Sequence, residues 1–301
     1  MTIASTEIRH PAAQGLQTLP PERAAALLAE AQVFAAARVQ AAIPAITAAA
    51  EVAARAIEGG HRLVYAGAGS SGLMALADAL ELPGTFGIPA DRAPVLFAGG
   101  AAALLSLTGA AEDDPAGAAS DLAAIDLGPG DAVICVSASG GVPYTLAIAE
   151  GARAAGATLI GIANVADSAL LRAADIAILL ETGPEMVAGS TRLGAGTAAK
   201  IALNMISTLT GLRLGHVYEG HMVNLVADNV KLRDRAARMV AELSGSDLGA
   251  AGGALGETDG AVKPAILIAA GAEDRGAAEA LLAAAGGRLD PALRALRAEP
   301  G

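Results

Sequence analysis

Apolar and polar positions along the chain follow two different periods. Residues 21–58 are Ala/Leu-rich with scattered charges, PERAAALLAEAQVFAAARVQAAI and then ITAAAEVAARAIEGG. This predicts helices ended or kinked at Pro44 and stopped at Gly59-Gly60. From Arg62 to Glu181 short apolar runs take over, and RLVYAG, APVLFAG, DAVICVSAS, TLIGIAN and DIAILLE are each predicted as a strand. Helical stretches separate them: SGLMALADALEL, closed by Pro83-Gly84; the short AAALLSL; DDPAGAASDLAAI, with Asp114 as N-cap and Pro115 at its first position; GGVPYTLAIAEGARAAG; and SALLRAA. Strands this apolar, alternating with helices, predict an α/β fold: a doubly wound parallel sheet flanked by helices.

Beyond the sheet lie a glycine-rich loop, ETGPEMVAGSTR, and two long helical stretches, LGAGTAAKIALNMISTLTGLRLG and MVNLVADNVKLRDRAARMVAEL. SGSDLGAAGGALGETDG reads as a linker, and three short helices follow, the last with Asp290 as N-cap. The expected organisation is N-terminal helices over 1–60 packing on the core, an α/β domain with its following long helices over 61–242, a linker over 243–260 and a small helical domain over 261–301.

Composition narrows the picture. Hydrophobic residues make up 53% but aromatics only 2%, so Ala, Leu, Val and Ile must build the core. A net charge of −11 argues against nucleic acid or an anionic membrane surface as partner, while leaving room for a local anion pocket. Cys135, the single cysteine, excludes an intramolecular disulfide and reads as an inert core thiol. His216 and His221 lie five apart, not at the i, i+4 spacing of a helical metal pair, and no metal site is expected. The start of the chain lacks a signal-peptide pattern, and no run of about 18 apolar residues is free of a charge or helix-breaker. No membrane span is expected, and the expected location is cytoplasmic.

GAGSSG carries Gly67, Gly69 and Gly72 in the G-x-G-x-x-G pattern of a dinucleotide-binding turn. That reading needs an acid about 20 residues on, at the end of the second strand, to hold a ribose. Asp91 lies at about that distance but precedes the strand VLFAG, whose end is Ala-Gly-Gly. No nicotinamide cofactor is expected. A second loop, SASGGVP, repeats the context of the first: apolar strand before, helix after, glycine mixed with serine. Backbone N–H groups at a helix start, with serine hydroxyls beside them, form an anion cradle.

Two such loops on a doubly wound sheet resemble the sugar isomerase (SIS) domain. The strings TEIRH, GAGSSG…DALELPGTFG, AAEDD, SASGGVPY, GPEMVAGSTRLGAGTAAKIALNMIST and NVKLRDRAARMV follow in order those of the N-acetylmuramic acid 6-phosphate etherases, from about Thr6 to Val240. The tail also looks like that family's small C-terminal helical domain. The resemblance implies a lyase that cleaves the lactyl ether of a phosphorylated amino sugar. It works with two carboxylates and no metal or cofactor, in a homodimer. Glu81 matches the family's acid for the departing lactate and Glu112 its base for the C2 proton. Gly69, Ser70, Ser71, Gly72, Ser137, Ser139, Gly140, Ser190, Thr191 and Arg192 match the substrate pocket.

The residues themselves fit these roles. Glu81 lies in the apolar run ALEL near the negative end of a predicted helix, where dipole and desolvation both favour a protonated acid. Glu112 precedes Asp113 and Asp114, whose charge should raise its pKa. Each also reads as ordinary: an exposed helix-end charge for Glu81, an acid near the start of the next helix for Glu112. A phosphosugar-binding regulator or a sugar-phosphate isomerase would share the cradle. The family's arginine, arginine, threonine and lysine are replaced here by Leu73, Gly141, Val142 and Gly194. An altered substrate is a further expectation, since each charge-assisted bond is worth about 1.5–3 kcal/mol.

Overall fold

The structure is a computed structural model and describes residues 5–225 and 230–298. After three short 3-10 turns come α1 (Pro21–Arg38) and α2 (Ile43–Glu58), joined through a 3-10 turn at Val39–Ala42. The first helix is thus broken ahead of Pro44, as expected, and Pro44 stands in the first turn of α2, where its missing N–H would have had no intrahelical partner. Then follow β1 (Leu63–Gly67), α3 (Gly69–Phe86), β2 (Val95–Phe97), α4 (Gly100–Ala103), α5 (Pro115–Ile125), β3 (Ala132–Val136), α6 (Pro143–Ala154), β4 (Thr158–Ala163), α7 (Ala169–Ala173), β5 (Ile176–Leu179) and α8 (Gly194–Arg213). The five strands are parallel, in the order β2-β1-β3-β4-β5, the doubly wound sheet that the alternation predicts. The chain continues through a small antiparallel hairpin, β6 (Val217–Tyr218) and β7 (His221–Met222), into α9 (Val230–Ser244), α10 (Leu248–Glu257), α11 (Val262–Ala269), α12 (Arg275–Ala284) and α13 (Leu289–Ala298).

Two compact units result, one of residues 1–80 and 90–209, the other of 81–89 and 210–301. The division falls at 209/210, not near 242, so α9 groups with the C-terminal helices. The expected linker is largely helix α10. Asp247 caps it, accepting from Ala250 N–H at 2.8 Å, and its Ala251, Ala254 and Leu255 are buried with residues of α9 and α11. Gly249, Gly252, Gly253 and Gly256 disguise it, because glycine is a poor helix former that side-chain burial here overrides. The helix expected from Met222 starts later, since Met222 pairs in the hairpin; residues 226–229 of that expectation lie outside the described residues. Asp290 lies inside the first turn of α13 and pairs with Arg294, so it is not the N-cap.

In the first unit every residue of β1 and β3 is buried. Cys135 is among them, and burial pushes its thiol up to about 12, as suits an inert core thiol. Part of the stretch Pro21–Glu58 is long and apolar enough, at a mean hydropathy of 1.5, to cross a membrane by length and composition. Much of that apolarity serves the core: Ile46, Ala49, Ala50, Ala53, Ala54 and Ala56 of α2 are buried.

One of the buried polar groups of this unit joins several elements. Asp78 of α3 is 4% exposed, and its carboxylate accepts from Tyr65 OH on β1 (2.9 Å), Asn204 Nδ2 (2.6 Å) and Ser207 Oγ (2.9 Å) on α8. Burial, then the Asp78 charge and hydrogen bond, push the Tyr65 phenol well above its ordinary range, so it remains a donor. Three elements thus share one carboxylate. Asp78→Ala should leave these donors unpaired and lower stability by about 3 kcal/mol, with Asp78→Asn losing less because it keeps an acceptor oxygen. Urea denaturation followed by circular dichroism measures both.

Candidate active site

β1 and β3 are neighbours in register, Gly67 beside Val136, so the loops leaving their C-terminal ends stand side by side. The first loop enters α3 at Gly69, whose φ of +52° is left-handed and favours glycine. Gly72 is glycine for a different reason. A Cβ there would lie 2.7 Å from the Phe97 ring and 2.8 Å from the Gly67 carbonyl, so helix and strand touch backbone to backbone. Gly72 is buried, and packing accounts for it before any ligand does.

The second loop enters α6 with Pro143 in its first turn. Ser137 is buried, and its Oγ accepts from Gly140 N–H at 3.1 Å, bracing the loop from within. Gly140, at φ +64°, lies against the Ser168 side chain. Ser139 Oγ accepts from Gly141 N–H at 3.2 Å, and Ser71 Oγ accepts from Ala138 N–H at 3.3 Å, a bond that joins the two loops. Ser70, Ser71 and Ser139 are half-buried and lie where α3 and α6 begin, beside helix-start N–H groups.

Glu112 is built into the same place. Its N–H donates to Gly109 O and its carbonyl accepts from Tyr144 N–H at the start of α6, each at 3.0 Å. Its carboxylate lies against Gly69 at the start of α3: a Cβ built on Gly69 would be 2.5 Å from Glu112 Oε1. Tyr144 is itself fixed, its OH donating to Asp121 at 2.6 Å. Burial first, and the Asp113 charge second, raise the Glu112 pKa above the usual carboxylate range. The sequence pointed to neighbouring charge and missed the larger cause. Asp114 is engaged as expected in capping α5, accepting from Ala116 and Gly117 N–H at 3.0 Å.

Glu81 differs from its expectation. It is exposed on α3, and the helix does not close at Pro83-Gly84 but runs to Phe86. Gly87 N–H donates to Pro83 O and Asn224 Nδ2 to Phe86 O, both at 3.0 Å, and these bonds carry the helix past the proline. Among the described residues, Glu81 therefore lacks the sheltered apolar setting inferred from ALEL. Glu81 falls in the second unit and Glu112 in the first.

Ser190, Thr191 and Arg192 form a turn ahead of α8. Among the described residues no hydrogen bond joins that turn to the serine loops. The start of α8 already holds an internal anion: buried Glu185 accepts from Gly194 N–H (2.9 Å) and Ala195 N–H (2.8 Å). The sequence reading passed over Glu185, although an acid shortly before a predicted helix start was a usable signal. In the second unit, burial, with Lys263 nearby, lowers His216 to about 4, and His221 lies 3.5 Å from Glu242. A groove of about 530 Å³ in the second unit, lined by Arg233, Asp234, Leu255 and Asp259 among others, includes none of the candidate residues.

Comparison with known proteins adds to this geometry. A family model described as SIS domain matches residues 28–164. The N-acetylmuramic acid 6-phosphate etherase of Deinococcus radiodurans is 48% identical over 87% of this chain and 86% of its own. That of Salmonella typhimurium is 42% identical over 96% of this chain and 97% of its own. Among solved structures, a phosphoheptose isomerase from Francisella tularensis matches with a TM-score of 0.50 at 19% identity, covering 64% of this chain and all of that one, a likeness of fold.

The causes of the Glu112 shift can be separated. Asp113→Asn should lower the Glu112 pKa yet leave it above the ordinary carboxylate value, because burial is the larger cause. A carbon-13 NMR titration of labelled glutamate side chains measures it.

Proposed function

The chain belongs to the N-acetylmuramic acid 6-phosphate etherase family, and on that premise we infer that it cleaves the D-lactyl ether of N-acetylmuramic acid 6-phosphate, giving N-acetylglucosamine 6-phosphate and D-lactate. The observation that carries the reading is the half-buried Glu112 carboxylate, of raised pKa, held beside two serine–glycine loops. A base is most effective when its pKa approaches the working pH, and burial moves Glu112 that way.

In the open-chain sugar the aldehyde acidifies the C2 proton. Glu112 takes that proton, the C2–C3 double bond forms and the C3–O bond breaks. Glu81 gives its proton to the departing lactate oxygen. Water then adds its hydroxyl to C3 and C2 regains a proton, so the net reaction consumes one water. These steps need only the two carboxyl groups and no cofactor. The phosphate is assigned to Ser70, Ser71, Ser139 and the Gly140 backbone, with Ser190, Thr191 and Arg192 completing the pocket. Glu81 takes its role from its match to the family string, since on the single chain it is exposed. A phosphorylated sugar as substrate suits a cytoplasmic enzyme.

A homodimer accompanies this reading. Leu104, Leu105 and Leu107, in the segment leading to Glu112, are 41%, 93% and 51% exposed, an apolar cluster suited to a second copy of the chain.

Two experiments test the proposal. With N-acetylmuramic acid 6-phosphate in heavy-oxygen water, D-lactate should be released and the label should enter the C3 hydroxyl. Glu112→Gln should abolish C2 proton exchange, whereas Glu81→Gln should slow lactate release by about 10²–10⁴-fold and leave exchange intact. Tight sugar-phosphate binding without lactate release would instead make the protein a binding module. Leu105→Asp should convert a dimer to a monomer in light scattering after size exclusion; an unchanged mass would remove this cluster from the interface.

A further inference from the structure

We propose that Gly69 is a positioning residue for the Glu112 carboxylate, its missing side chain being the space in which that carboxylate lies. The proposal rests on Glu112 as the base of the etherase reaction. The three glycines of the G-x-G-x-x-G pattern divide their work. Gly67 and Gly72 face each other: a Cβ on Gly67 would meet Gly72 Cα at 2.9 Å, and one on Gly72 would meet Gly67. They let α3 close onto β1. Gly69 differs: the three atoms nearest to a Cβ there all belong to Glu112, Oε1 at 2.5 Å, Cδ at 3.4 Å and Oε2 at 3.8 Å.

Two properties of the position must be kept apart. A φ of +52° favours glycine but also admits asparagine or aspartate. The room requirement admits neither, since every residue other than glycine carries a Cβ. Glu112 has little freedom to retreat as a whole. Its N–H is held by Gly109 O and its carbonyl by Tyr144 N–H, and Tyr144 is anchored to Asp121. A Cβ at position 69 would therefore rotate the carboxylate away while its backbone stays in place. A displacement of about 1 Å in a catalytic group can cost 10²-fold in rate.

A double-mutant cycle on lactate release and C2 proton exchange tests this, with N-acetylmuramic acid 6-phosphate as substrate. Gly69→Ala in the native background should lower kcat at least tenfold with KM changed less than threefold. In a Glu112→Asp background, where the shorter side chain draws back from position 69, the same substitution should change kcat less than threefold. Backbone strain from the left-handed φ is common to both backgrounds and cancels in the cycle. Gly69→Asn, which tolerates that φ but carries the same Cβ, should behave like Gly69→Ala, and it substitutes for it if the alanine variant fails to fold by circular dichroism. An equal fold-loss in both backgrounds, or a change confined to KM, overturns the proposal. Exchange surviving in Glu112→Gln overturns the base assignment beneath it, a result read separately from the cycle.

Discussion

The adjacency of β1 and β3 is the constraint from which the rest of the first unit's candidate site follows. In the order β2-β1-β3-β4-β5 the sequence of strands reverses direction between these two. At such a point the following connections run to opposite sides, and a crevice opens outside the carboxyl ends of the strands. Gly67 beside Val136 fixes how far each strand reaches, so both loops start at the same level. The Ser71–Ala138 hydrogen bond then joins the loops. Further along α3, the Asp78 carboxylate ties the helix to β1 and α8 through Tyr65, Asn204 and Ser207. The two loops are thus set by the strand register, and α3 by a buried polar anchor.

Glu112 enters this frame from a stretch with little regular structure, and it is precise only because of what it touches. The segment between β2 and α5 contains one short helix, a 3-10 turn and three exposed leucines. Left alone it would not fix a side chain. The Tyr144 N–H bond transfers the rigidity of α6 to the Glu112 backbone, and the bare Cα of Gly69 admits the carboxylate. Both contacts come from elements that already carry the two loops, so Glu112 and the loops share one support.

How far this was legible in sequence depended on the range of the physics. The strands, the serine loops and the Asp114 cap rest on local patterns, and they appear where the patterns put them. Helix ends held by distant residues were misread: Pro83 signalled a stop, but Asn224, 138 residues away, caps the end of α3 beyond it. Helix α10 was hidden by glycines that tertiary burial overrides. The charges beside Glu112 could be read from its neighbours in the chain, whereas its burial depends on packing that no local string records. Glu81 shows the reverse error, since apolar neighbours in sequence do not bury a side chain that points outward from its helix.

The departures from the family's strings also gain physical meaning from this geometry. Leu73 stands half-buried on α3, Gly141 is exposed in the second loop, Val142 precedes α6, and Gly194 packs against Glu185 and Ala35 at the head of α8. The two serine loops therefore carry no cationic side chain of their own, and an anion there meets neutral hydroxyls and backbone N–H groups. Each such contact is weaker than a charge-assisted one. The same neutrality bears on the Glu112 carboxylate. A cation within about 4–6 Å of a carboxylate lowers its pKa by roughly 1–3 units, and one placed on either loop would oppose the burial that raises Glu112. Under the proposed roles, weaker anion binding and a stronger base are two consequences of the same absent charges.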